Sequence, residues 1–306
     1  MSASVYPSVS VVVPTRDRPL LLRRALGGIL AQRYPGDIEC VVVFDQSEVS
    51  LPVIDAAHRG RVRVLVNDRS PGLAGARNTG ALAATGDLIA FCDDDDEWLP
   101  NKLRLQAEAR AEWDALAVTS GIYVCFRGRE IARIPAVRTV TFRALLRSRR
   151  AEIHPSTIVT ERRALLDEIG LADERIPGSY AEDYEWLLRA AKARALTAVL
   201  EPLVRVHWHE RSWFSEDWET IVRALTYLIE RYPEFESEPS GLSRICGQLA
   251  FASAAAGRRA EGRRWARRSV RLDARQPRGY VALLLSFGVL RPEPVLRLAH
   301  TFGRGV

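Results

Sequence analysis

Lysine is almost missing from this 306-residue chain. Lys102 and Lys192 are the only two among 44 basic residues, and the rest are arginine. A net charge of +6 would ordinarily point to a polyanionic partner. Arginine this dominant, beside abundant alanine, reads instead as the codon bias of a GC-rich genome, and general nucleic-acid binding is set aside. Cysteine is scarce too. Cys40, Cys92, Cys125 and Cys246 lie far apart, none within four residues of another, which excludes a Cys-x-x-Cys metal or redox motif. They read as reduced core thiols of a cytoplasmic protein. Long apolar runs are absent. The longest, 279–290, stops at twelve residues, short of the ~20 that a spanning helix needs. The opening residues MSASVYPS lack a basic segment followed by an apolar one and do not read as a secretory signal. Hydrophobic residues at 47% and charged residues at 27% suit a globular chain of one or two domains and exclude wholesale disorder.

What is present is an alternation of elements. Residues 9–13 are β-branched and end at Pro14, a buried strand. Residues 19–33 carry Leu20, Leu21, Ala25, Ile29 and Leu30 at helical spacing. Strands follow at 39–44, 62–66 and 87–92, with a helix at 71–85 behind Ser70 and Pro71. This order predicts a parallel α/β sheet, whose ligands sit beyond the carboxyl ends of the strands. Short antiparallel strands are expected over 119–140, helices at 142–150 and 181–192, and a strand at 199–206. The Pro-containing stretch 231–241 reads as a linker, and 242–286 as helical. Within it 249–256, Gly257 and 260–272 resemble one helix-turn-helix unit, which cannot bury its own face.

The strand ends hold the chemistry. Asp93-Asp94-Asp95-Asp96 follows a buried strand and precedes Trp98-Leu99-Pro100. Adjacent carboxylates repel, so clustering them is costly unless a cation or basic group offsets it. In an extended segment Asp93 and Asp95 point the same way. Oxygen ligands suit Mg²⁺ or Mn²⁺, though a solvated acidic turn has the same composition. The stretch Ser70 to Gly80 offers a helix start with free N–H groups and the guanidinium of Arg77, both suited to phosphate. A helix start packed tightly on the sheet would look the same. Glu182 and Asp183 open a helix, where the dipole favours acids and where a carboxylate also suits general-base work. His207 and His209 are too few for a zinc site without a cysteine or third histidine.

In chain order, Pro14-Thr15-Arg16-Asp17, Ala76-Arg77-Asn78-Thr79-Gly80, Gly86-Asp87, the 93–100 run and Glu182-Asp183 resemble the nucleotide-sugar glycosyltransferases of family 2. The resemblance covers about residues 8–216. It implies the GT-A fold, a Rossmann-like, mostly parallel sheet with flanking helices, over residues 1–220. Residues 221–306 then form a helical C-terminal extension. It implies that Asp93-x-Asp95 is the DxD motif, with Asp95 holding Mn²⁺ or Mg²⁺ on the donor diphosphate and Asp93 touching ribose or metal beside Asp94. It places Pro14, Thr15, Arg16 and Asp17 on base and ribose, and Arg77 and Asn78 along the nucleotide. Asp183 becomes the general base and Glu182 orients its neighbours. His207, in Arg205-Val206-His207, falls near the metal. Trp208 and Trp213 close over donor or acceptor or anchor their loop, and His154 borders the acceptor or packs in a loop. Family members commonly carry Asp-Asp after the second strand, the first reading uracil. Here the pair is Phe44-Asp45, so Asp45 is left to meet the nucleotide and UDP-, GDP- and dTDP-sugars all stay open.

The expectation is therefore an inverting, metal-dependent transferase that moves one sugar to an acceptor hydroxyl. The absence of a Gln-x-x-Arg-Trp motif and of spanning helices argues against a processive synthase. Cell-envelope glycan, glycolipid, including a lipid-linked acceptor, and secondary metabolite remain open, as does oligomerisation. A nucleotidyltransferase would need a Gly-rich basic loop after the first strand. A non-catalytic sugar-nucleotide-binding module is at odds with intact Asp93, Asp95 and Asp183. On 260–272, Trp265, Ala266, Val270 and Leu272 stand beside five arginines. That pattern predicts either a docked helical cap or peripheral attachment to the inner face of the membrane.

Overall fold

The computed structural model describes residues 6–150, 152–208 and 217–301. In chain order the elements are β1 (Val9–Thr15), α1 (Pro19–Leu30), β2 (Ile38–Phe44), β3 (Val62–Val66), α2 (Leu73–Ala83), β4 (Leu88–Phe91), β5 (Glu97–Trp98) and α3 (Lys102–Trp113). Then come β6 (Ala117–Phe126), β7 (Arg129–Arg133), β8 (Thr139–Val140), α4 (Phe142–Arg147), β9 (Val159–Glu161), α5 (Glu182–Ala193) and β10 (Leu196–His207). The chain ends in α6 (Trp218–Arg231), α7 (Pro239–Ala255), α8 (Arg259–Leu272), α9 (Pro277–Ser286) and α10 (Pro292–Thr301).

Two compact units result. One comprises the described parts of Met1–Phe142, Arg150–Glu174 and Glu182–Trp208; the other comprises those of Arg143–Arg149, Arg175–Ala181 and His209–Val306. The expected boundary at 220 and linker at 231–241 are therefore not where contacts divide. The second unit gathers two short excursions of the earlier chain, and 231–241 lies inside it, with a single 3-10 turn at Pro233–Ser237.

The first unit is a mixed sheet in the order β3-β2-β1-β4-β9-β6-β10-β5. β1 runs parallel to β2 and β4, and β2 to β3. β9 is antiparallel to both β4 and β6, and β6 and β10 are parallel to each other. Every residue of β1 is buried, as expected for a strand covered on both faces. α2 lies so close to it that a Cβ on Gly80 would come within 2.3 Å of Val12 Cγ1. Pairing of Thr15 with Phe44 and of Val12 with Phe91 brings the carboxyl ends of β1, β2 and β4 to one edge. Asp17 and Gln46 turn the chain there in the left-handed region, at φ 52° and 51°. These two positions suit Asp and Gln better than a β-branched residue.

The second unit is helical. α7, α8 and α9 pack through small residues. Ser243 Oγ donates to Ser269 O at 2.7 Å and Ser269 Oγ to Ser243 O at 2.8 Å, while Ala250, Ala266 and Ala282 are fully buried between them. Gly257 breaks α7 from α8 at φ 82°, as the helix-turn-helix pattern requires.

α3 is an element that the sequence pattern conceals. Its buried face includes Lys102 and Gln106 beside Leu103, Ala107 and Ala109, so no apolar periodicity appears. Gln106 Nε2 donates to Thr157 O at 2.7 Å. Lys102 is wholly buried, its Nζ 3.8 Å from the Trp98 ring centroid and without a hydrogen-bond partner among the described residues. Burial lowers its pKa to about 7 from 10.5. The unfolded chain thus binds more protons than the folded one between these values, and stability rises with pH across that window. The charge mismatch costs about 4 kcal/mol at pH 7. Lys102→Met should therefore raise the unfolding free energy at pH 7 by about 2 kcal/mol. It should also flatten the rise between pH 7 and 10, read by urea denaturation. A less stable variant would mean that the contact with Trp98 outweighs desolvation.

Candidate active site

The four aspartates after β4 are held by partners from several segments, with Arg18 shared by Asp94 and Asp95. Asp93 Oδ1 accepts from Arg77 Nη2 at 2.5 Å. Asp94 is buried and accepts from Thr15 Oγ1 at 2.7 Å and from Arg18 Nη1 at 3.2 Å. Asp95 Oδ2 pairs with the same Arg18 nitrogen at 2.9 Å, and its carbonyl accepts from Arg24 Nη2 at 2.7 Å. Asp96 is buried, accepts from Ser156 Oγ at 2.5 Å and lies 3.2 Å from His154 Nδ1. Ser156 Oγ in turn accepts the Asp93 backbone N–H at 3.0 Å. Burial, and then the neighbouring aspartates, push Asp95 upward; burial takes Asp94 to about 6 against the opposing bonds from Thr15 and Arg18.

His154 precedes the short turn Pro155–Thr157. Burial by itself would lower its pKa, but the facing carboxylates of Asp96, Asp93 and Asp183 outweigh this and hold it at about 9. Its Nδ1 faces Asp96 and lies 3.4 Å from the Ser156 backbone N–H. Among the described residues, Asp93, Asp96 and His154 bring one ligand atom each within 4.8 Å of the others. Two carboxylates and one imidazole form a donor set that fits Mn²⁺ better than Mg²⁺, which prefers oxygen and water alone.

Arg77 and Asn78 are both buried on α2 and turn different ways. The Arg77 guanidinium reaches Asp93 on one side and the carboxylate of Glu182 on the other. Glu182 and Asp183 open α5, after Gly178, Ser179 and Ala181 at φ 60°, 55° and 66°. Arg77, Phe91, Pro155, Glu182, Asp183 and Trp186 line one pocket. Asn78 instead holds the chain before α5. Its Nδ2 donates to Ala172 O at 2.9 Å and Glu174 Oε1 at 2.7 Å, and its Oδ1 accepts from Ala172 N at 2.9 Å. Glu174 also accepts from Arg69 Nε at 2.5 Å and Ser70 Oγ at 2.7 Å. Burial opposes these bonds, but together they hold its pKa down at about 2.

The structure thus brings Asp93, Arg77, Glu182, Asp183 and His154 together. Pro14 and Thr15 are buried at the end of β1, with Arg16 half-buried and Asp17 exposed beyond it. Asp45 is buried with both oxygens engaged, by Asn67 Nδ2 at 2.7 Å and by the Gly72 N–H at 3.0 Å, and braces the turn into α2. His207 stands at the end of β10, its Nε2 3.8 Å from Glu97, and does not join the Asp93–Asp96–His154 cluster. Trp208 packs against the core with Arg133 4.9 Å over its ring. Trp213 lies outside the described residues. Asp96, Ser156, Arg18 and Glu174 carry much of the site and were not singled out by the sequence. Only the neighbouring motifs Asp93-to-Pro100 and His154-Pro155-Ser156 hint at the first two.

The profile described as Glycosyl transferase family 2 matches residues 10–165. The chain belongs to this family. It is 26% identical over 193 residues to the UDP-Glc:alpha-D-GlcNAc-diphosphoundecaprenol beta-1,3-glucosyltransferase WfgD of Escherichia coli, covering 62% of this chain and 72% of that one. It is 34% identical over 218 residues to the succinoglycan biosynthesis protein ExoO of Rhizobium meliloti, covering 67% of this chain but only 61% of ExoO. Among solved structures, S. aureus TarS 1–349 with UDP-GlcNAc superposes at a TM-score of 0.61 with 18% identity, covering 97% of this chain and 92% of that one. The mannosyltransferase PcManGT of Pyrobaculum calidifontis, in complex with GDP-Man and Mn²⁺, does so at 0.53 with 19% identity, covering 96% and 87%. The fold of this family 2 chain is GT-A, as its motifs implied. No helix among the described residues is long and apolar enough to cross a membrane.

The bonds of Asn78 predict that it is structural. Truncating it leaves Glu174 and the Ala172 backbone short of partners in a buried place. Asn78→Ala should lower the unfolding free energy by about 2 kcal/mol in chemical denaturation. An unchanged midpoint would mean that the 172–174 segment is held without it.

Proposed function

We propose that the chain transfers a single sugar from a nucleoside-diphosphate sugar to an acceptor hydroxyl, with inversion, in the assembly of a cell-envelope polysaccharide. The observation that carries this reading is the shared pocket of Asp183, Glu182 and Arg77, with Arg77 reaching on to Asp93. The names of WfgD and ExoO support the polysaccharide context and an acceptor carried on a lipid diphosphate. The ligands of TarS and PcManGT support a sugar nucleotide and leave its base, UDP, GDP or dTDP, to assay.

In this reading Asp183 accepts the acceptor's hydroxyl proton as the oxygen attacks the anomeric carbon from the face opposite the leaving diphosphate. Glu182 fixes the Arg77 guanidinium, whose charge faces the negative charge that builds on the diphosphate. Asp93, with Asp96 and His154, would hold the divalent cation, which when bound lends Lewis-acid charge to that leaving group. Asp95, the second aspartate of the DxD motif, positions the β1–α1 loop through Arg18.

Asp183→Asn keeps size and hydrogen bonding but removes basicity. Transfer should fall by about 10²–10⁴-fold with donor affinity retained, measured by product formation and donor titration calorimetry. Near-wild-type turnover would move the base elsewhere. Mn²⁺ affinity, read by calorimetry, should fall at least about tenfold in Asp96→Asn and in His154→Gln, and less in Asp95→Asn. Since His154 must shed its proton to bind, affinity should strengthen as pH rises toward 9. If Asp95→Asn alone abolishes binding, the cation belongs to Asp95.

A further inference from the structure

Two of the apolar residues that the sequence set beside the arginines of α8 are turned inward. Ala266 is fully buried and Trp265 packs on the same cluster. A different stripe is left open. Tyr280 and Leu284 on α9, and Phe287 at its C-cap, recur at i, i+4 and i+7 and are 45%, 45% and 62% exposed; Val289, just beyond, is 67% exposed. Residues spaced this way share one face of a helix. No acidic residue occurs between Asp273 and Glu293.

The surroundings of this stripe are cationic. The Arg263 guanidinium stands 5.4 Å over the Phe287 ring and also donates to Ser286 O at 3.1 Å. Arg259 borders Gly288. On α8 itself Arg264, Arg267 and Arg271 are exposed at i, i+3 and i+7. Among the described residues no carboxylate lies in salt-bridge range of Arg259, Arg263, Arg264, Arg267 or Arg271, whereas Arg258 and Arg268 are paired with Glu219 and Glu236. An aromatic and aliphatic edge framed by unneutralised guanidinium groups matches an anionic lipid surface. The apolar side chains enter the headgroup boundary and the arginines meet phosphate. A protein partner of ordinary surface would face the same uncompensated charge without the apolar depth.

We propose that α8 and α9 form a peripheral docking surface for an anionic lipid bilayer, with Leu284, Phe287 and Val289 inserted and the α8 arginines on the headgroups. The test uses the whole chain and reads binding rather than transfer, so it succeeds or fails independently of the proposed reaction. Phosphatidylcholine vesicles containing phosphatidylglycerol should carry the protein down at low salt and release it at high salt; pure phosphatidylcholine vesicles should not. Leu284→Ser/Phe287→Ser should weaken vesicle binding about tenfold, since each loses exposed apolar area that would otherwise be inserted. Arg264→Gln/Arg267→Gln should weaken it about thirtyfold, near fivefold per arginine. Both variants change exposed residues and should keep the wild-type melting temperature and donor hydrolysis. Val53→Ser, at an 86% exposed site on the first unit, should bind as wild type. Equal binding without phosphatidylglycerol, or wild-type binding by either double variant, overturns the proposal. So does self-association in analytical ultracentrifugation that Leu284→Ser/Phe287→Ser abolishes, because the stripe is then covered by a second copy.

Discussion

Four carboxyl groups follow one another at the end of β4, and each must meet a donor or a cation or push its neighbours toward protonation. Their partners come from four places in the chain: Arg77 on α2, Thr15 closing β1, Arg18 before α1, and the turn at 154–156. That requirement accounts for much of the architecture. β1 must lie beside β4 in the observed register to bring Thr15 and Arg18 within reach. β9 must follow the 155–157 turn directly and pair with β4, which sets Ser156 under Asp93 and Asp96. The single antiparallel strand in the middle of the sheet thus serves the acidic edge.

Arg77 connects this edge to the start of α5. It is one of 42 arginines, and almost fully buried, so its charge is only weakly screened by water. A buried guanidinium between two carboxylates from distant segments fixes their separation, because its donors form a rigid fork. Lysine at this position would keep the charge and lose the second direction. The carboxylate beside the proposed base is therefore positioned from the sheet side and not only by the start of α5.

Legibility in the sequence followed the physics of each element. β1 to β4, α1 and α2 announce themselves through β-branched runs, helical spacing and proline starts, and the structure has them at nearly the expected bounds. α3 buries a lysine and a glutamine and so hides its face. β9 has three residues, too few for alternation to register. α6 carries a helical pattern in Ile221, Ala224, Leu225 and Leu228, and most of it lies within the extension over 221–306 expected to be helical. At the site, the residues expected from motif order, Asp93, Arg77, Glu182, Asp183 and His154, converge. The partners Arg18, Ser156 and Glu174 act across 60 to 96 residues of chain, and no local spacing marks such a pairing. Asn78 shows the converse. Its place in a motif is legible, but not that its hydrogen bonds face the 172–174 segment.

Neighbouring residues on α2 also tie down both ends of one excursion. Asn78 grips Glu174, where the chain leaves the first unit, and Arg77 grips Glu182, where it returns. The seven residues between are a closed detour with its two gateposts set in the same helix. Lengthening such a loop costs little, about 0.6 kcal/mol for each doubling. With both gateposts fixed, a change in its length leaves Glu182, and Asp183 beside it, in place.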